Sequence, residues 1–296
     1  MYPSLWIDRP DALEKLESAK IGEFAKSIAR SLITTGVAVV RGAHDPEFCE
    51  AVIGDYQRYS VENGDYVRAN LDSLGREKRL VNFHHWSDAA LRIGTNSSIL
   101  SALDFVFAHE ASVYTSLMFK YGTQQPVHRD TPHFATWPRT YFTGVWTALE
   151  RVSQDNGPLF YHPGAHRFRV SEAECFAKAM ARLPDASNGD PMLLALDLYN
   201  GEIIRTVPTI ADPVTLMMDT GDTAIWHPEM PHGRSLAKRQ MATRWSIVFH
   251  CAPVSVQVHQ HDAFFGHDKN VEPPPRYRYA EAYQRKIAEA GGVEFM

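Results

Sequence analysis

A succession of short apolar segments in the second half of the chain most limits the folds open to it. These segments are rich in branched and aromatic residues and are separated by turn residues, as β-strands are. They span residues 113–121, 141–151, 159–162, 214–218, 223–227 and 244–258. The first 110 residues instead show helical periodicity over 11–35, 46–59 and 97–109, with a short buried strand at 37–40. Helices first and strands afterwards predict an α+β, mainly β barrel or sandwich rather than a doubly wound sheet.

Capping signals mark the starts of three helices. Asp11 is the expected N-cap of the first helix, and Ser98 is the expected N-cap of the helix over 97–109. Ser171 is predicted to begin a helix inside the strand-rich half, because Glu174 stands at the capping-box spacing from it.

Two segments outside the strands carry further predictions. We interpret residues 168–209 as an insertion, and its polar stretch 185–191 suits a lid that orders when substrate binds. After three prolines at 273–275, residues 277–290 are predicted to form a short amphipathic helix.

Composition excludes several classes of partner. The 296 residues carry a formal charge of −5, which gives no global basic field for nucleic acid or an anionic membrane. Three widely spaced cysteines (Cys49, Cys175 and Cys251) predict neither a disulfide framework nor a zinc site, and we interpret Cys49 and Cys251 as small buried hydrophobes. No signal peptide and no apolar run of about 18 residues is visible. We therefore expect a cytoplasmic protein with no protein partner evident.

A metal site is predicted around His128 and Asp130. The two residues are two apart, so in extended backbone their side chains point the same way. Together they form two thirds of a 2-His-1-carboxylate facial triad, which holds non-haem Fe(II) and leaves open positions for chemistry. His232 is the candidate third ligand, because Gly233 after it would allow close backbone approach. His227 is the local competitor and could instead be a core or supporting histidine.

An arginine within the last long strand predicts an anion site. Period 2 places Arg244, Ser246, Val248 and His250 on one face. A guanidinium on an interior face is costly unless it meets a permanent anion, and its fork suits a carboxylate. The far carboxylate of 2-oxoglutarate would satisfy it, with Ser246 adding a hydroxyl. Its 2-oxo acid end would chelate the iron and leave one position for O2. An internal Asp or Glu partner for Arg244 is the alternative.

Six short motifs together resemble the phytanoyl-CoA dioxygenase family, a branch of the Fe(II)/2-oxoglutarate oxygenases with a double-stranded β-helix (jelly-roll, cupin-like) core. The motifs are His128-x-Asp130, 145–150, 155–159, 162–166, 221–223, and His232-Gly233 with Arg244. The resemblance covers roughly residues 110–255. Before residue 110 it is weak. With the order of elements, we interpret residues 1–296 as one oxygenase domain, made of a helical support region (1–110), a β-helix core (111–258) that contains the 168–209 insertion, and a tail (259–296).

The resemblance also implies roles for individual residues. His128, Asp130 and His232 would bind the iron. The 2-oxoglutarate pocket would be formed by Arg244, Ser246, Trp146, Ser116 and Ser235. The family often has a serine two residues after the distal histidine and the arginine eleven after it. Here Arg234 takes the first position and Arg244 is twelve after His232, which a one-residue insertion explains.

The activity implied is hydroxylation of an unactivated carbon of a small molecule, with release of succinate and CO2 and no side chain acting as acid or base. Halogenating members of the superfamily lack the carboxylate ligand, so Asp130 favours oxygenation. Two alternatives remain open at this stage. One is a cupin-type metal enzyme that does not use 2-oxoglutarate, and the other is a non-catalytic small-molecule-binding barrel.

Substrate contacts are harder to predict. The pocket-wall candidates are residues 82–86, which include His84, His85 and Trp86, residues 133–137, which begin at His133, and the insertion 168–209. Arg139 and Arg234 could meet an anionic substrate, although exposed charges need no such role. The rings at 82–86 could equally pack on the core, as aromatic residues usually do. The acidic charge balance gives no support for a CoA thioester. The histidines at 259, 261 and 267 could form a second metal site, but a lid or loop stretch is the preferred interpretation.

Overall fold

The structure is a computed structural model that describes residues 5–122, 125–137, 139–183, 189–239, 241–254, 256–259, 264–265 and 277–296. Helices occupy the first third of the chain and the insertion. They are α1 (Ala12–Ser18), α2 (Glu23–Thr34), α3 (Pro46–Glu62), α4 (Gly64–Ala69), α5 (Asp88–Gly94), α6 (Ser97–Phe107), α7 (Glu172–Arg182) and α8 (Pro191–Thr206).

Strands make up most of the remaining regular structure. They are β1 (Val37–Val40), β2 (Leu80–Val81), β3 (Ala111–Phe119), β4 (Ala135–Thr136), β5 (Thr143–Ala148), β6 (Leu159–Tyr161), β7 (Val214–Thr215), β8 (Thr223–Trp226), β9 (His232–Arg234), β10 (Ser246–Pro253), β11 (Val258–His259), β12 (Tyr279–Ala282), β13 (Arg285–Ala288) and β14 (Glu294–Phe295). The predicted strand segments are therefore all present, most of them shorter than expected.

The main sheet has the order β1-β8-β5-β10-β3-β13-β12, and β2 joins β3 to β14 beside it. A smaller, three-stranded sheet has the order β7-β6-β9. A separate pair of strands is formed by β11 and β4. The cavity described below is lined by strands of both the main and the smaller sheet, so it lies between them. This is the predicted α+β, mainly β jelly-roll core.

Strand β10 shows how the two faces of the main sheet are used. Ile247 and Phe249 are fully buried in the same apolar cluster as residues of α2 and α6, so the N-terminal helices cover this face. Val248 and His250 lie on the opposite face and line the cavity. The predicted alternation along this strand is confirmed, and so is the packing of the helices on one side.

The expected first helix is in fact two helices. The chain breaks between Ser18 and Glu23, which separates α1 from α2. The side chain of Asp11 makes no capping hydrogen bond. One continuous helix over 11–35 would place Leu13 and Phe24 in the same buried apolar stripe as Leu16 and Ile28, but Leu13 and Phe24 are 43% and 42% exposed. The prediction of one helix with a single apolar stripe over 11–35 is therefore wrong.

Helix caps are otherwise close to the expected positions. Asn96, not Ser98, caps α6, and its side chain accepts hydrogen bonds from the N–H groups of Ser98 and Ile99. Ser171 caps α7 as predicted, accepting from the N–H of Glu174. Helix α8 was not predicted, although Asp190 caps it and a proline stands in its first turn.

The predicted tail helix over 277–290 is wrong. These residues form a hairpin of β12 and β13, joined at Tyr283 and Gln284, which both have positive φ (51° and 61°). Strand β13 runs alongside β3 in parallel, with Ile287 opposite Val113. One edge of β3 pairs with β10, and pairing at its other edge stabilises this segment as a hairpin rather than a helix.

Candidate metal centre and cosubstrate pocket

Three side chains from separate segments meet at one point. The ligand atoms of His128, Asp130 and His232 all lie within 4.8 Å of one another. The backbones of the two histidines are bridged, since the N–H of His128 donates to the carbonyl of His232 (2.9 Å) and the reverse bond measures 3.0 Å. This bridge brings together two ligands that lie about a hundred positions apart in the sequence.

Hydrogen bonds fix which nitrogen each imidazole presents to the centre. Nδ1 of His128 lies 2.9 Å from the carbonyl oxygen of Pro126, and Nδ1 of His232 lies 2.9 Å from that of Met230. A carbonyl only accepts, so each Nδ1 carries the proton and each Nε2 is left with a free lone pair. The two Nε2 atoms face Oδ1 of Asp130 at 3.7 and 3.8 Å.

The second oxygen of Asp130 is held by the protein. Trp226 Nε1 donates to Oδ2 over 2.8 Å, and His250 Nε2 lies 3.5 Å from the same atom. Burial alone would raise the pKa of Asp130, but neighbouring His232 and His250 hold it far below its usual range. Burial also lowers the pKa of His128 to about 4. An ionised carboxylate beside a neutral imidazole is the protonation state that metal binding requires.

This donor set fits Fe(II). Two imidazole nitrogens and one carboxylate oxygen facing one point form the facial triad of non-haem iron sites, with the other positions left for ligands. The outer hydrogen bonds to Pro126, Met230 and Trp226 are the kind that orient metal ligands.

Gly233 allows the close approach that the sequence predicted. A Cβ at this position would lie 2.9 Å from Cζ of Phe160 and 3.1 Å from the backbone nitrogen of Val127. A side chain at residue 233 would therefore push the strand that carries His232 away from the segment leading to His128.

His227 has a structural role. Its Nδ1 accepts from the N–H of Glu229 (3.1 Å), and its Nε2 lies 2.8 Å from Oδ1 of Asp8. The ring is 1% exposed and does not belong to the ligand cluster. It ties the N-terminal segment to the loop before His232, so of the two competing histidines it is the supporting one.

A cavity of about 370 Å³ opens beside the three ligands. Arg244 reaches into it from the segment before β10 and is 2% exposed. Within the described part of the chain, its Nε and Nη1 have no hydrogen-bond acceptor. Its guanidinium carbon lies 5.6 Å from the ring centre of Trp146, which also lines the cavity. Burial, with a smaller effect of Arg234, lowers the pKa of Arg244 well below its ordinary value.

The alternative internal partner for Arg244 is not found among the described residues. Glu150 is the acid whose charge acts on Arg244, but its carboxylate accepts from Thr243 Oγ1 (3.0 Å) and the N–H of Trp245 (2.8 Å). A buried guanidinium fork facing a cavity without an anion is a site for a ligand carboxylate.

The three serines predicted for this pocket do not line the cavity. Ser246 Oγ donates to the carbonyl of Arg244 (3.3 Å). Ser116 lies on the other face of β3, with Oγ 2.7 Å from Nδ1 of His84. The N–H of Ser235 donates to the carbonyl of Pro158.

Of the substrate-contact candidates, Asn82, His133, Phe134 and Arg234 line the cavity. His84 packs against Phe249 at 6.1 Å between ring centres, and His85 lies against His84. Trp86 stacks on Phe83, so the packing interpretation of this stretch fits the structure. Arg139 pairs with Glu172 and Glu229.

The insertion contributes no described residue to the cavity wall, and its role as a lid stays a prediction. His259 lies in β11, and the other two candidates for a second metal site, at 261 and 267, fall outside the described residues. Sequence reasoning missed the wall residues Arg79 and Thr115, and also missed Trp226 and His250 beside Asp130. The signal for His250 was its position on the same strand face as Arg244.

The pattern of the Phytanoyl-CoA dioxygenase (PhyH) family matches residues 34–237. The chain belongs to this family. The match starts well before residue 110, where the resemblance had been weak, and ends before Arg244. Every described helix of this family member is too short or too polar to span a bilayer. Its cytoplasmic location stays a prediction.

Individual relatives of this PhyH-family chain are distant. It is 28% identical to human peroxisomal phytanoyl-CoA dioxygenase over 154 residues, which cover 52% of this chain and 40% of the human protein. The chain therefore matches less than half the length of that relative.

Solved structures share the fold. The alpha-ketoglutarate-dependent carbocyclase SnoK from nogalamycin biosynthesis has a TM-score of 0.61 at 13% identity, covering 92% of this chain and 98% of its own. EctD from S. alaskensis, crystallised with 2-oxoglutarate and 5-hydroxyectoine, has a TM-score of 0.58 at 14% identity, covering 82% and 79%. These likenesses confirm the jelly-roll fold.

Proposed function

We propose that this protein is a non-haem Fe(II)- and 2-oxoglutarate-dependent oxygenase that hydroxylates an unactivated carbon of a small-molecule metabolite. One observation carries the proposal. The metal-ligand triad and the buried, unpartnered guanidinium of Arg244 open into the same cavity. Family membership and the folds of SnoK and EctD support the same reaction class.

His128, Asp130 and His232 would hold the iron through Nε2, Oδ1 and Nε2. Bound Fe(II), with 2-oxoglutarate and O2, would supply the oxidising power for C–H hydroxylation, while 2-oxoglutarate is converted to succinate and CO2. Asp130 would keep one oxygen for the metal, because Trp226 occupies the other. No side chain needs to donate or accept a proton at the reacting carbon.

Arg244 would bind the far carboxylate of 2-oxoglutarate. Its buried fork lies on the ring of Trp146, which limits the directions from which the carboxylate can approach. Leu117, Phe119 and Val248 give the cavity apolar walls, which strengthen a charge-assisted bond by excluding water.

Two features separate this function from its alternatives. A cupin-type enzyme without 2-oxoglutarate, or a simple binding barrel, leaves the buried charge of Arg244 without a purpose. The carboxylate ligand Asp130 occupies the position that a halide would need, so the proposal is oxygenation rather than halogenation.

Succinate formation with Fe(II), 2-oxoglutarate and a metabolite panel tests the proposal directly. We expect succinate and O2 uptake from the natural protein, and neither from Asp130→Ala. We expect Arg244→Met to lose 2-oxoglutarate binding by about 30-fold or more, since a buried charge-assisted pair is removed. The same variant should melt at a higher temperature without ligand, because it removes an unpaired buried charge.

The two variants separate the outcomes. If Asp130→Ala forms succinate at the natural rate, the metal assignment is wrong. If Arg244→Met binds 2-oxoglutarate normally while Asp130→Ala is inactive, the metal centre stands and the cosubstrate site lies elsewhere.

A further inference from the structure

A second guanidinium reaches the cavity beside the C-terminal segment. Arg79 immediately precedes β2, and β2 pairs with β3 on one side and β14 on the other. Its carbonyl accepts from the N–H of Met296 (3.0 Å), and its Nη2 lies 2.9 Å from the Met296 sulfur. A thioether is a weak acceptor. The half-buried side chain of Arg79 therefore has donors available to a ligand.

Two other cations of the same region, Arg76 and Lys120, are already paired with carboxylates. Arg76 meets Asp72 at 2.7 Å, and Lys120 meets Glu77 at 2.6 Å. Arg79 forms no ion pair with any described residue, although Glu294 lines the same cavity. Among the described residues, Arg79 is thus, like Arg244, an arginine of the cavity wall without a carboxylate partner.

Arg79 and Arg244 lie in different electrostatic surroundings. Burial lowers the pKa of Arg79, and the charge of Asp130 acts in the opposite direction. The charges acting on Arg244 are instead those of Arg234 and Glu150. Arg79 and Asp130 line the same cavity, and Arg244 enters it from a different segment, so an anion on Arg79 would lie near the metal centre without using the cosubstrate's arginine.

The wall around Arg79 is fixed before any ligand binds. Asn82, in the left-handed conformation (φ 56°), accepts from Thr115 Oγ1 (2.6 Å) and donates to the carbonyl of Gly292 (3.3 Å). Pairing of β14 with β2 places Glu294 opposite Val81. A preformed wall lowers the entropic cost of holding a ligand against the guanidinium.

We infer that Arg79 binds a carboxylate group of the substrate, so that the enzyme hydroxylates a small carboxylic acid held between this arginine and the metal centre. This inference rests on the proposed function. A planar guanidinium matches a carboxylate in a bidentate pair. A CoA thioester carries several phosphate charges, whereas this wall offers one unpaired arginine with Glu294 beside it. A free monocarboxylate suits that balance of charge.

Binding of matched acids and amides tests the inference. The protein is loaded with Fe(II) and 2-oxoglutarate without O2, and a panel of aliphatic and aromatic monocarboxylates is titrated beside their primary amides by calorimetry. We expect acids to bind and their amides to bind more weakly. Arg79→Gln should weaken acid binding by about 10- to 100-fold, as expected for loss of a charged hydrogen bond. Arg79→Lys should retain part of it.

Arg76→Gln is the matched control, since it removes the same charge from the same segment while its guanidinium already pairs with Asp72. The inference is wrong if no acid binds more tightly than its amide, or if Arg79→Gln and Arg76→Gln weaken binding equally. Binding of 2-oxoglutarate by Arg79→Gln, measured alongside, should stay within about twofold of the natural protein. If acids bind through Arg79 but succinate never forms, the proposed oxygenase function fails and the carboxylate site stands.

Discussion

Asp130 uses its two oxygens for different purposes. Oδ1 faces the imidazoles of His128 and His232, whereas Oδ2 accepts the indole N–H of Trp226. A carboxylate held in this way offers a metal one oxygen in a fixed direction. The indole hydrogen bond therefore prepares the ligand before the metal arrives.

Replacing Trp226 with phenylalanine should weaken metal binding. The ring volume is largely kept, but Oδ2 of Asp130 loses its donor and the carboxylate is free to rotate. Loss of such a hydrogen bond typically lowers metal affinity by about 10- to 100-fold. Calorimetric titration with Mn(II) measures this, with Trp245→Phe, an indole of the apolar core, as the control. Equal affinities for the two variants would show that the Trp226 bond does not orient the ligand.

The sequence best predicted those side chains whose polar or charged groups are unfavourable to bury without a partner. His128, Asp130, His232 and Arg244 stand out because their groups need a metal or an anion when buried. Ser116 was placed in the pocket, but it faces His84. Both faces of β3 are buried, so alternation along the strand cannot show which residues point inward.

At the scale of the element, local pattern predicted strands and caps well but failed in the tail. Residues 279–288 have the polar and apolar spacing of a helix, yet they pair as a hairpin beside β3. The turn at Tyr283 and Gln284 lacks the glycine or asparagine that usually marks such a hairpin. Contact with a distant strand decided the outcome, and sequence spacing does not contain that information.

Asp222 joins the start of β8 to the end of β1. Its Oδ1 accepts from the N–H of Gly42 (2.8 Å), and its Oδ2 accepts from Arg41 (2.6 Å) and from the N–H of Asp219 (2.9 Å). The carboxylate is 5% exposed, but Arg41 is 61% exposed, so the backbone bonds contribute most. Burial alone would raise the pKa of Asp222, yet these partners lower it below 3.8.

Asp222→Asn should lower the free energy of unfolding by about 1–3 kcal/mol at neutral pH. Because the folded pKa lies below the unfolded one, this stability is fully present above the unfolded pKa, near 4. It is lost as the pH falls through the folded pKa. Urea unfolding at pH 7 and at about pH 3 should show the difference between the two proteins shrinking in acid. A difference that is constant or larger in acid would contradict the assignment.

The whole molecule contains more than one apolar core. The largest joins the N-terminal helices to the main sheet, whereas α7 and α8 pack in a separate cluster around Ala179, Ala195, Tyr199 and Ile203. The separate cluster is linked to the metal centre by a buried arginine. Arg129, between the two ligands of the first motif, meets Glu229 at 3.0 Å and Tyr199 at 3.3 Å.

Because the two apolar clusters are separate, we expect α7 and α8 to unfold locally without the main sheet. Ile203 is fully buried in the smaller cluster, and Ile203→Ala should destabilise this cluster by about 2–5 kcal/mol. If α7 and α8 open as a unit, hydrogen exchange should accelerate over 172–206 while the amides of β10 keep their protection. Ile247→Ala, equally buried in the main core, should instead accelerate exchange in β10. Equal acceleration in β10 for both variants would show one cooperative unit, in which the insertion could not move as a lid independently of the barrel.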